Sequence, residues 1–139
     1  MKVVELSPGA DENGLATMLA TLMAQNLADH PERGRIFARL RGRVAIIAED
    51  AGVSLTMEFR RGRVVVHDGI VGLPDLTLRG GFEQIGDMSR MESLGPLPDP
   101  RGPVNRAMAR ALRDRTLRIF GLPRALPLLV GMGEVLAVH

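Results

Sequence analysis

The feature that most constrains the fold is a strict alternation of apolar and polar residues in VSLTMEF (53–59). A period of two is typical of a β-strand with one buried face and one wet face. The preceding VAIIA (44–48) is a continuous apolar run, typical of a central strand, and RVVVHD (63–68) follows after a turn at Arg61-Gly62. We therefore predict a three-stranded antiparallel meander.

Two more strands are predicted from shorter patterns. DLTLR (75–79) alternates and is followed by the double glycine 80–81, and TLRIF (116–120) is closed by Gly121. Glycine after a short alternating run indicates that the strand ends there.

Helical spacing of apolar residues marks the segments between these strands. The first helix covers residues 15–27, with Asp11 or Asn13 as its cap and an end near His30, because Pro31 follows. Further helices are predicted in three places: 31–40, from Phe82 onward, and 104–114.

Two segments near the C-terminal side have unusual composition. Residues 92–103 contain four prolines and are predicted to be a loop. Residues 122–139 form an apolar tail, which we expect to contain a helix broken by Pro127.

The order of elements predicts an α+β fold in two layers. About five strands form a mixed or antiparallel sheet, and amphipathic helices cover one face of it. No linker divides the chain, so residues 1–139 are interpreted as a single domain, with residues 1–10 as an N-terminal extension.

Charge and composition argue against several classes of protein. The pI is high, but 18 basic residues face 16 acidic ones, and tyrosine and tryptophan are absent. Without stacking aromatics or a strong basic excess, we predict no nucleic-acid partner. No cysteine is present, no apolar run is long enough for a signal peptide or membrane span, and a cytoplasmic location is expected.

Catalytic and metal-binding patterns are not visible. His67 and Asp68 are adjacent, but neighbouring strand residues point to opposite faces, so they are not expected to act as a pair. The histidines are too few and cysteine is missing, so no metal, other cofactor or catalytic residue is predicted, and the protein is interpreted as a non-enzyme.

One combination of motifs resembles a known family. LTMEFRRGRVVVHDG is followed by PDLTLRGGFEQI, and later by LRIFG and ALPLLVGM. A Pro-Asp strand leading into a helix, then a short basic strand ending in glycine before a final apolar helix, resembles the sterol carrier protein family. The likeness extends over residues 15–135 by order of elements.

The resemblance implies non-catalytic binding and transfer of a lipid, which would be a sterol, fatty acid, acyl-CoA or phospholipid, in a cavity between sheet and helices. It also implies residues that line the cavity. These are Phe82, Ile85, Met88, Met91, Leu112, Leu126, Leu129 and Met132. Headgroup or phosphate contacts would come from a basic helix face formed by Arg106, Arg110 and Arg113.

Other interpretations stay open. The basic face can simply be solvated, and Met18, Met23, Met57, Met88 and Met108 can simply fill a core. A protein-interaction or homodimerisation module would use the apolar tail and have a vestigial cavity. A weaker hypothesis is a small enzyme or accessory acting on acyl substrates. Contact with a membrane is expected to be transient at most.

Overall fold

The computed structural model describes residues 3–87, 93–94, 97–98 and 117–136. The described helices are α1 (Gly14–Asp29), α2 (Gly34–Arg39), α3 (Phe82–Asp87) and α4 (Leu126–Leu136), with single 3-10 turns at Ala10–Glu12 and Pro31–Arg33. The strands are β1 (Val4–Leu6), β2 (Arg41–Ala48), β3 (Val53–Arg60), β4 (Val64–Asp68), β5 (Leu76–Gly80), β6 (Ser93–Leu94), β7 (Leu97–Pro98) and β8 (Leu117–Phe120).

Six of the strands form one mixed sheet in the order β1-β4-β3-β2-β5-β8. The predicted meander β2–β3–β4 is antiparallel throughout, and β8 pairs antiparallel with β5. Strand β5 lies parallel to β2, so the chain crosses from one side of the meander to the other before β5 begins. The predicted α+β class is confirmed, with six strands where about five were expected.

The extra strand, β1, lies inside the segment 1–10 that was interpreted as an extension. It pairs parallel with β4, and Val4 is opposite Val64. A strand of three residues is too short to show a period of two, and its partner lies far away in the sequence. Neither property can be read from the local pattern.

Asn13 fixes the start of α1 and joins that helix to the sheet. Its Oδ1 accepts a hydrogen bond from the N–H of Ala16 at 3.0 Å, as a helix cap does. Its Nδ2 donates to the carbonyl oxygen of Ser54 at 2.8 Å and to the carboxylate of Asp68 at 2.9 Å. The predicted cap is therefore also a bridge to β3 and β4.

Two expectations about proline are corrected. Pro127 does not break a helix, because it is the second residue of α4, where the missing N–H has no intrahelical partner to lose. The segment 92–103, predicted as a loop, contains the antiparallel pair β6–β7, in which Pro98 ends a strand of two residues. Proline is tolerated at such edges. The predicted helix at 104–114 lies outside the described residues.

Asp75 joins three strands at one end of the sheet. Its N–H donates to the carbonyl oxygen of Arg43 at 2.8 Å, and its carboxylate accepts from the N–H of Arg43 at 2.9 Å. Its own carbonyl oxygen lies directly against Gly121, which has a φ of +108° and no room for a Cβ atom. The Pro-Asp and strand-Gly motifs are thus two sides of one contact.

The crossover from β4 to β5 runs over the face of the sheet that the four described helices do not cover, which we call the open face. The hydroxyl of Thr56 donates to the carbonyl oxygen of Gly69 at 2.8 Å and accepts from the N–H of Val71 at 3.0 Å. Gly72 then lies against the Arg43 guanidinium, so close that a Cβ atom would stand 2.9 Å from Cζ. The crossover buries Thr56 completely, at 0% exposure.

The open face also carries a charged cluster around Glu58. Its carboxylate lies 3.1 Å from Arg43, 2.8 Å from Arg60 and 3.2 Å from the imidazole of His67. Burial is the largest single influence and raises the pKa of Glu58. Hydrogen bonds from His67 and Arg60, with the charges of Arg60 and Arg43, outweigh burial together and lower the pKa below its ordinary value.

Gly121→Ala tests the contact with Asp75. The new methyl group would overlap a backbone oxygen that cannot move without breaking the β5–β2 ladder, and φ would remain in a region that alanine avoids. We expect a loss of at least ~2 kcal/mol in the free energy of unfolding. Gly133→Ala is the matched control, because nothing beyond its chain neighbours and the backbone of α4 itself lies within 4 Å of its Cβ position. It should stabilise by about 0.5–1 kcal/mol. Equal effects in urea unfolding would contradict the predicted overlap.

Glu58→Gln tests the charged cluster through pH. A folded-state pKa below the unfolded one stabilises the protein above the unfolded pKa, and this contribution is lost as pH falls through the folded pKa. At neutral pH the free energy of unfolding of the wild type should exceed that of the variant by about 1 kcal/mol. In thermal unfolding, the difference in stability between wild type and variant should become smaller below about pH 4. Glu83→Gln, at an exposed position of α3, is the charge-matched control. A gap independent of pH would contradict the assignment.

Candidate functional site

The helix-covered face of the sheet is an apolar floor. Four neighbouring strands of the sheet, β3, β2, β5 and β8, contribute side chains that are at most 1% exposed. They are Leu55 and Met57 of β3, Val44 and Ile46 of β2, Leu76 and Leu78 of β5, and Leu117 of β8. Alternation along each strand brings these residues to one side.

Helix α4 lies over this floor and is held at several points. One stripe of it is buried, including Met132 and Val135 at 0% exposure. Gly131 lies directly against Leu40, the residue that follows α2, which lets α4 approach α2 closely. Near its end, the carbonyl oxygen of Val135 accepts from Nδ2 of Asn26 in α1 at 3.1 Å. A buried amide on α1 therefore fixes the position of α4.

The core beneath α1 and α4 is closed. A side chain at 0% exposure, such as Met132, Val135 or Met23, borders no space into which a water molecule fits. The described residues therefore contain no open cavity at this place. Room for an apolar ligand has to lie elsewhere or be created by movement of a helix.

Helix α4 has a second apolar side that the closed core does not absorb. Leu126 is 46% exposed, and Leu129 and Val130 are partly buried. Leu126 and Val130, four residues apart, lie on the side of α4 opposite the buried stripe that contains Met132, whereas Leu129 lies at the edge of that stripe. Ile119 of β8 is likewise partly buried, and it packs against the same core as Leu129. Leu129 and Ile119 are therefore partly buried apolar side chains at the margin of one core.

Helix α3 has one buried residue and one exposed residue at the positions expected to line a cavity. Ile85 is 3% exposed and belongs to the core. Phe82 is 42% exposed, because it is the first residue of the helix, and its N–H donates to the carboxylate of Asp50 at 2.8 Å. The N-terminus of α3 is therefore capped by the turn between β2 and β3.

The structure brings three of the predicted cavity residues together in or against one core: Ile85, Leu129 and Met132. Phe82 and Leu126 are 42% and 46% exposed, so neither belongs to the closed core. The remaining predicted residues lie outside the described part of the chain. They are Met88, Met91, Leu112, Arg106, Arg110 and Arg113.

The interpretation of methionine as core filler holds for two of its five examples. Met23 and Met57 are completely buried, whereas Met18 is 39% exposed on α1. The other two, Met88 and Met108, are not among the described residues.

A groove of about 470 Å³ lies between β1 and α1, away from the expected cavity. Its lining includes Val4, Leu6, Ala20 and Ala24. It was not foreseen because β1 itself was not predicted. The small residues Ala20 and Ala24, one helical turn apart, are the sequence signal that could have indicated it.

The described residues contain no group of three or more histidine, aspartate or glutamate side chains placed to hold a metal ion. None of the helices in the described ranges is long and apolar enough to cross a bilayer. His67 and Asp68 do diverge as expected: His67 contacts Glu58 on the open face, and Asp68 contacts Asn13 on the other.

Comparison with known proteins identifies the fold through structure and not through sequence. No protein-family model matches the sequence, and no curated protein matches it. A UbiJ-SCP2 ubiquinone synthesis protein is similar in structure, with a TM-score of 0.62 at 15% identity over 88% of this chain and 95% of that one.

Two further solved structures agree. Sterol carrier protein domain 2 of Helicoverpa armigera has a TM-score of 0.57 at 16% identity, covering 94% of both chains. Sterol carrier protein 2 of Yarrowia lipolytica, in its apo form, has a TM-score of 0.55 at 11% identity, and the match covers 92% of this chain and 96% of that one. At such identities the likeness concerns the fold, and it spans nearly the whole length of each chain. The chain therefore has the sterol carrier protein fold.

Proposed function

We propose that the protein is a non-catalytic, cytoplasmic carrier that binds and transfers an apolar lipid between its sheet and its helices. The observation that supports this most is the apolar character of α4 on two sides. One side closes the core, the other leaves Leu126 and Val130 without full cover, and Leu129 lies partly buried between the two. An ordinary surface helix would carry polar residues there.

The site that we propose lies on the β8 side of α4. Leu129 and Ile119 pack against the closed core and still retain exposed surface, so an alkyl chain laid along them would remove that surface from water. Each buried methylene is worth about 0.8 kcal/mol, so a long chain binds usefully without a charged partner. Because Met132 borders no free space, we place the ligand between the flank of α4 and the edge of the sheet rather than directly beneath Met132.

The cargo that we propose is defined by its apolar chain. Sterols, fatty acids, acyl-CoA and phospholipids all present such a chain. One protein of similar structure is named a ubiquinone synthesis protein, so we add isoprenoid quinones to the class. Apolar walls discriminate between such chains by only a few kcal/mol, so several are expected to compete. Contacts of Arg106, Arg110 and Arg113 with a headgroup remain part of the proposal.

Leu129→Ala is the variant that tests the site. Removing the side chain should lower the affinity for a fluorescent fatty acid about tenfold, since it removes a contact worth ~1–2 kcal/mol. Ile70→Ala is the matched control, because Ile70 is 48% exposed and lies on the crossover over the opposite face of the sheet. It should bind the probe like the wild type. Fatty acid, acyl-CoA, sterol and ubiquinone serve as competitors.

Two results would overturn the carrier. One is the absence of saturable displacement by every competitor, together with no lipid in native mass spectra of the purified protein. The other is a concentration-dependent dimer in sedimentation that Leu129→Ala dissociates, because a second copy would then cover α4.

A further inference from the structure

One end of the sheet combines exposed leucines with exposed arginines. We call it the basic end and define it by Leu73, Leu122, Leu126, Arg41, Arg61 and Arg124. Leu73 is 86% exposed, Leu126 46% and Leu122 43%. All three arginines are exposed as well.

The strand register places these residues at the same end. Strand β2 begins at Arg41, which is paired with Arg60 where β3 ends, and Arg61 follows with its N–H bonded to the carbonyl oxygen of Leu40 at 2.9 Å. Leu73 lies two residues before Asp75, and Leu122 lies one residue after Gly121, so both flank the contact between Asp75 and Gly121.

Helix α4 starts at this same end. Residues 121–125 form a tight turn closed by a hydrogen bond from the N–H of Ala125 to the carbonyl oxygen of Gly121 at 2.9 Å. Arg124 lies within that turn, and Leu126 begins the helix immediately after it. Loops and turns therefore present Leu73 and Leu122, and Leu126 lies beside them at the start of α4.

No carboxylate in the described part of the chain forms an ion pair with the arginines that define the basic end, Arg41, Arg61 and Arg124. The carboxylates nearby are already engaged: Asp75 with the N–H of Arg43, and Glu58 with three basic groups. An anionic partner would thus meet unpaired guanidinium groups.

We propose that the basic end docks on an anionic lipid bilayer, with the leucines entering the interface and the arginines contacting phosphate groups. Apolar side chains flanked by cations suit the boundary between headgroups and acyl chains. A second copy of the chain fits less well, because a twofold interface would bring the same arginines of both copies together. The inference goes beyond the proposed function and does not depend on it.

Sedimentation with vesicles tests the proposal on the full chain without any cargo. Vesicles of phosphatidylcholine containing phosphatidylserine should bind the protein, and vesicles of phosphatidylcholine alone should bind it far less. Leu73→Ala should reduce partitioning about tenfold, since a leucine side chain leaves the interface. Met18→Ala, at another exposed apolar position, is the control and should partition like the wild type.

The charge is tested with two double variants of equal net change. Arg41→Gln with Arg124→Gln should reduce partitioning about 25-fold, at roughly fivefold for each arginine near an anionic surface. Arg79→Gln with Arg118→Gln, whose side chains contact Glu49 toward the opposite end, should reduce it less than fivefold. Added salt should weaken wild-type binding.

Three outcomes would overturn the proposal. These are equal binding to neutral and anionic vesicles, equal losses in the two double variants, or a dimer in sedimentation velocity that Leu73→Ala dissociates. Binding of the fluorescent fatty acid by Leu73→Ala, measured without vesicles, reports on the carrier separately. Vesicle sedimentation thus tests membrane docking, and fatty-acid binding without vesicles tests the carrier, so each proposal can fail without the other.

Discussion

The contact of Asp75 with Arg43 and Gly121 is the constraint on which the rest of the architecture depends. A parallel strand can join a meander only after a crossover, and Asp75 is where that crossover ends and β5 locks onto β2. Because β8 finishes against the same carbonyl oxygen, the contact also sets where α4 begins. Floor, edge strand and covering helix are thus positioned from one end of the sheet.

The two faces of the sheet follow different physical rules. The covered face consists of apolar side chains from every strand of the main sheet, and its stability comes from burial. The open face is shared between the crossover, which buries Thr56, and ion pairs centred on Glu58. Charge on that face is largely compensated, whereas charge at the basic end is not, and this contrast separates a structural cluster from a candidate docking surface.

Local pattern was sufficient where a single interaction determines an element. The period of two predicted the meander, and Asn13 and Pro31 bounded α1. Local pattern does not tell how exposed a side chain is where its position within an element matters. Phe82 and Leu126 are the first residues of their helices, where fewer neighbours surround a side chain. Strand β1 was not predicted for another reason, because its partner strand β4 lies far away in the sequence.

Helix α4 is attached near both of its ends. The turn at Gly121 anchors its start beside Asp75, and the amide of Asn26 holds the carbonyl of Val135 one residue before its end. Because the helix is attached at two points, it cannot move away from the sheet by turning about one end. Any rearrangement that separates α4 from the sheet has to break the hydrogen bond at Val135 or distort the turn at Gly121.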